Sequence, residues 1–106
     1  MGEQRRREFL VRGHNHLDVM ARIRSGLTQN NFKETGQSTE TSVKFHDNPG
    51  FWRTFFADFN FVTVIAMPVG EDTRLIILAD AKGRRPDELI EQVSNFIGRE
   101  VALEEA

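Results

Sequence analysis

The chain has no cysteine and no tyrosine among its 106 residues. Without cysteine there can be no disulfide, thiolate nucleophile, zinc ribbon or iron–sulfur cluster, and no dependence on an oxidising compartment. No apolar stretch approaches the ~20 residues of a spanning helix. The start, Met1-Gly2-Glu3-Gln4-Arg5-Arg6-Arg7, is not followed by the apolar run of a signal peptide. The expectation is one soluble, cytoplasmic domain over residues 1–106 with no membrane contact. The hydrophobic share of 39% and charged share of 28% are enough for a packed core.

Patterns for chemistry are also scarce. Ser25, Ser38, Ser42 and Ser94 all lie outside a G-x-S-x-G turn. Ser42 and His46 share a strand face but stand roughly 13 Å apart. The Gly83 loop lacks the P-loop pattern. No catalytic residue is assigned, and a non-enzymatic reading is favoured. His14, His16 and Asp18, with His46 and Asp47 as second contributors, form the one group with metal-ligand chemistry. Helix capping already explains Asn15 and Asp18, so no metal or other cofactor is expected.

Charge is uneven. Net charge is −2, yet residues 1–33 carry a net +4 and residues 34–106 a net −6. Arg5, Arg6, Arg7, Arg12, Arg22 and Arg24 make the first third basic, and Lys82, Arg84 and Arg85 add a basic loop. Phosphate binding needs such cations clustered in space. The negative total and the acidic last helix argue against nucleic acid. Residues 1–6, with Arg5 and Arg6, are read as a flexible basic tail ahead of the first strand.

Periodicity gives most of the elements. A strand is expected over Arg7–Arg12, with Phe9 and Val11 on one face and Leu10 on the other. A helix follows over His16–Gln29, capped by Asn15, with Val19, Met20, Ile23 and Leu27 on one side. Phe32–His46 reads as extended, either one bent strand or a hairpin broken at Gly36-Gln37-Ser38. Phe61–Val69 and Thr73–Ala81 read as an antiparallel hairpin whose first strand is apolar on both faces. Pro86 opens a last helix to about Ala102, with Leu89, Ile90, Val93, Phe96, Ile97 and Val101 at helical spacing. Val93 and Phe96 are expected to lie buried against the sheet. Residues 103–106, with Glu104-Glu105 at a helix C-terminus, are expected to fray.

Six aromatic side chains fall in one short stretch: Phe51, Trp52, Phe55, Phe56, Phe59 and Phe61. As a helix, the first five share one face, with Asn48 as cap. As a strand, the stretch runs into Phe61 through a turn at Ala57–Asn60. Rings of this size lose about 25 cal/mol per Å² when left in water. Core, a second copy, another protein or an apolar ligand must cover them.

The fold expected is α+β: an antiparallel sheet of four or five strands with two helices packed on one face. Its order is β-α-β-β-β-β-α, with or without a short extra helix over residues 49–59. Two helices cover one face of such a sheet and leave the other needing cover. The function expected is a protein-interaction module that self-associates, as a homodimer or with a protein partner, through an aromatic-rich sheet face. Trp52, Phe55, Phe56 and Phe59 would be its anchors with Arg53 beside them, because interface energy concentrates in buried aromatics and arginine. The alternative is a domain binding an apolar small molecule, or a small cofactor-free enzyme. Its pocket would lie between sheet and helices, with His46 and Asp47 as polar groups.

Overall fold

A computed structural model describes residues 3–36, 38–47, 60–82 and 85–106. Among the described residues eight elements follow one another: β1 (Glu3–Val11), α1 (His16–Gln29), β2 (Phe32–Glu34), β3 (Ser42–Asp47), β4 (Phe61–Val69), β5 (Asp72–Ala81), α2 (Pro86–Gly98) and β6 (Glu104–Glu105). The strands form one antiparallel sheet in the order β2-β3-β4-β5-β1-β6. The α+β class is as expected, with six strands in place of four or five. An extra helix over 49–59 lies outside the described residues.

Period-two alternation decides which side chains meet the helices. Val43, Phe45, Val62, Val64, Leu75 and Ile77 are buried in one cluster with Val19, Ile23 and Leu27 of α1 and Leu89, Val93 and Ile97 of α2. Both helices therefore lie on the same face. Burying each aliphatic side chain contributes roughly 1.5–3 kcal/mol, so this layer supplies most of the drive to fold.

Local chemistry sets the connections. The Asn15 side chain caps α1 by accepting from the Asp18 N–H at 2.8 Å. The Asp72 carboxylate accepts the Gly13 N–H at 2.9 Å, and Thr73 Oγ1 donates to the His14 carbonyl at 2.8 Å. The β1–α1 connection is thereby tied to the start of β5. Gly70 opens the two-residue β4–β5 turn with φ of +60°, a conformation that suits glycine. Gly26 serves packing instead: a Cβ there would sit 3.0 Å from Glu100 Cγ. The residue that weakens the last turn of α1 thus admits the segment after α2.

Three expectations change, and one open alternative, bent strand or hairpin, is decided. β1 begins at Glu3, so Glu3–Arg6 pair with Ala81–Leu78 of β5 and are not a free tail. The Phe32–His46 stretch is a hairpin, with Phe32 opposite Asp47. Helix α2 ends at Gly98, although Val101 beyond it is still buried. Glu104-Glu105 do not fray from a helix end. They form β6 on the outer side of β1, where Arg12 pairs with Glu104 and Arg7 with Glu105. Opposite charge accounts for this last change, because carboxylates that a helix C-terminus repels are held by arginines across a strand pair.

Phe96 also differs. Val93 is fully buried, whereas Phe96 is half-buried and meets Phe32 edge-to-face at 6.2 Å between ring centres. The Arg99 guanidinium lies 5.5 Å from its centroid. This ring pair is where the edge of α2 meets β2.

Candidate interaction surface

The face of the sheet away from the helices carries the alternate residues of the same strands. Register arranges them in rows. Glu8 lies opposite Ile76, Ile76 opposite Ile65, and Ile65 opposite Ser42. The next row runs Arg6, Leu78, Thr63, Lys44. The one beyond runs Gln4, Asp80, Phe61, His46. Leu10 and Met67 flank Arg74 on the other side. Phe61, Ile65, Met67, Leu78 and Leu10 are all half-buried, and Ile76 is buried yet stands apart from the helix-side cluster. They stand outside the cluster that the sheet forms with α1 and α2. An apolar stripe thus runs down the middle of this face.

Charge rims the stripe. Glu8 takes the Arg74 guanidinium at 2.6 and 3.0 Å and also pairs with Arg6. The Arg74 hydrogen bond, opposed by partial desolvation and aided by the charge of Arg6, holds the Glu8 carboxyl below its ordinary range. Lys44 sits 4.7 Å from the centroid of Phe61. Around that ring lies a depression of about 480 Å³, lined among others by Arg6, Lys44, Phe61, Thr63, Leu78 and Asp80.

The aromatic segment springs from this end of the sheet. Trp52, Arg53, Phe55, Phe56 and Phe59 lie outside the described residues, but both roots of the segment are clear. Asp47 ends β3, and Asn60 stands just before β4. The Asn60 N–H and Nδ2 donate to the two Asp47 carboxylate oxygens at 3.2 and 2.8 Å, and the Asp47 N–H donates to the Asn60 carbonyl at 3.1 Å. Asn60 Oδ1 accepts the Lys82 N–H at 2.9 Å, which joins the clasp to the end of β5. Asn60 is fully buried. A buried amide costs free energy unless its groups are paired, and here the amide N and O are both used.

The other sequence-selected residues are placed as follows. The Asp47 carboxylate is spent on Asn60. His46 donates its Nδ1–H to the Asp47 carbonyl at 2.7 Å, and its ring meets Phe61 edge-to-face at 6.4 Å. His14 donates to Asp18 at 2.9 Å, and Arg22 to the same oxygen at 3.0 Å. The His14 hydrogen bond and the nearby Arg22 charge lower the Asp18 pKa against a desolvation cost. Among the described residues no three or more His, Asp or Glu side chains gather as a metal site. None of their helices is long and apolar enough to cross a membrane. Sequence reasoning passed over Asn60, reading it as a turn residue. Its one clue was an amide immediately ahead of the most apolar strand.

No family model and no curated relative matches the chain. Among solved structures, that of an HSP90 activator from Plasmodium falciparum is similar at 12% identity and a TM-score of 0.46. The match covers 94% of this chain and 89% of that one. A likeness of that degree carries no argument about function, which has to be argued from this chain's own residues.

Proposed function

We propose that the chain is a non-enzymatic protein-interaction module that self-associates through the open face of its sheet, extended by the aromatic segment. One observation carries this reading: an apolar stripe of Leu10, Phe61, Ile65, Met67, Ile76 and Leu78 faces away from both helices, and the roots of the aromatic segment are fixed at its end. All of these side chains but Ile76 are only half-buried, and apolar patches rimmed by charge mark association surfaces. Trp52, Phe55, Phe56 and Phe59 would supply the anchoring rings, with Arg53 among them. A homodimer is the simplest assembly, since one face then serves as both halves of an isologous contact.

A second reading has its own support. The depression beside Phe61 is within the size range of small-ligand sites. An apolar molecule there would rest on Phe61 and Leu78 under the Lys44 ammonium.

Trp52 emission separates the two, because it is the chain's one tryptophan. If the rings meet in a dimer, emission shifts red on dilution, and Trp52→Ala weakens the dimer by ~2 kcal/mol or more while the monomer stays folded. Emission independent of concentration, together with uptake of an apolar dye that Leu78→Lys abolishes, would favour the ligand reading.

A further inference from the structure

We infer that the outer edge of β1 at Gln4–Arg7 is a docking site for an acidic, extended peptide of a partner protein, which adds to the sheet as a further strand. Strand β6 covers little of that edge. It pairs only with Phe9 and Leu10 of a nine-residue strand, and the Ala106 N–H reaches the Glu8 carbonyl at 3.4 Å. In an antiparallel ladder the N–H and C=O of one residue point the same way, and successive residues alternate. Glu8 faces outward, so Arg6 and Gln4 face outward too. The Gln4 carbonyl accepts from the Arg5 guanidinium at 3.2 Å. Among the described residues, the Gln4 N–H and both backbone groups of Arg6 have no strand partner, and Gln4–Arg7 are exposed.

The side chains on this edge select charge. Arg5, Arg6 and Arg7 project alternately above and below it. They now pair with Asp87, Glu8 and Glu105, and remain 55%, 57% and 43% exposed. Exposed pairs contribute little and exchange readily for a partner's carboxylates. The molecule already holds an example of the mode. Glu104-Glu105 is an acidic, extended segment on the same edge, its carboxylates on Arg12 and Arg7. A second copy of β1 is the wrong occupant, because antiparallel pairing would set three arginines against three arginines. A nucleic acid would satisfy the guanidinium groups but not the row of backbone donors and acceptors. The site therefore calls for strand addition, in which main-chain bonds supply affinity and side chains supply selection.

The test is fluorescence anisotropy with a labelled peptide of alternating Glu and Val. Saturable binding that weakens with salt is expected, with none for a Lys/Val peptide. Arg6→Pro removes the outward N–H but leaves the β1–β5 ladder, whose bonds come from the odd-numbered residues. It should keep its melting temperature and weaken binding roughly tenfold or more. Ile65→Thr/Leu78→Thr, on the open face, should leave peptide affinity unchanged, so this proposal and the self-association proposal fail separately. Absence of saturable binding would overturn the inference. So would a folded Arg6→Pro variant that binds as tightly as the parent, or equal competition by a single-stranded oligonucleotide. If Arg6→Pro does not fold, amide shifts decide. Peptide-induced shifts at Gln4 and Arg6 support strand addition, and shifts confined to arginine side chains contradict it.

Discussion

Asp47 and Asn60 bond to each other through both backbone and side chain, closing the base of the segment that carries Trp52 and four phenylalanines. Asn60→Ala leaves the Asp47 carboxylate short of a donor and the Lys82 N–H without an acceptor. Each orphaned group costs about 1–3 kcal/mol, so denaturant unfolding should show a loss of roughly 2 kcal/mol or more. Asn60→Asp should be worse, because it sets a second carboxylate against Asp47. A variant as stable as the parent would remove the clasp from the account.

The side of α2 packed on the sheet should be far less tolerant than its edge. Ile97 is fully buried, and Ile97→Ala should cost about 2–5 kcal/mol. Phe96→Ala should cost less than the 3–5 kcal/mol typical of a fully buried ring, because Phe96 is half-buried against Phe32. Thermal melts of the two variants, run side by side, check the order.

Much of this was legible in the sequence because burial follows periodicity. His16–Gln29, Phe61–Val69 and the apolar stripe from Leu89 to Ile97 all announce themselves by spacing. The double-sided apolar pattern of β4 also matches a second sheet face that lies away from α1 and α2. Non-local pairing left no such mark. Arg5-Arg6-Arg7 reads as a solvated tail because nothing local says that β5 lies alongside. Glu104-Glu105 reads as a frayed end because Arg7 and Arg12 are remote in sequence. The depth of Asn60 depends on Asp47 and on Lys82, which is 22 residues away. His46 and Asp47 were selected for their chemistry, whereas the Asp47 carboxylate serves to hold the chain.

Acid should weaken the fold in part through Glu8 and Asp18. Both carboxyls are held below their ordinary pKa, Glu8 chiefly by the Arg74 hydrogen bond and Asp18 chiefly by that from His14. A depressed folded-state pKa contributes stability that is present above the unfolded value, about 4 for a carboxyl. That stability is lost as pH falls through the lower folded value. Glu8→Gln/Asp18→Asn should therefore narrow the stability difference between neutral and acid pH, and added salt should narrow it further. An unchanged acid limb in urea titrations would contradict the assignment.

The central claim is that the open sheet face joins one copy of the chain to another. Sedimentation equilibrium across micromolar concentrations tests it most directly, comparing the parent with Ile65→Thr/Leu78→Thr. Threonine keeps strand propensity while removing apolar surface from the stripe, so the variant should remain folded by circular dichroism. The account predicts a concentration-dependent dimer for the parent and a monomer for the folded variant. A parent that stays monomeric at tens of micromolar, or a variant that dimerises as tightly as the parent, would contradict it.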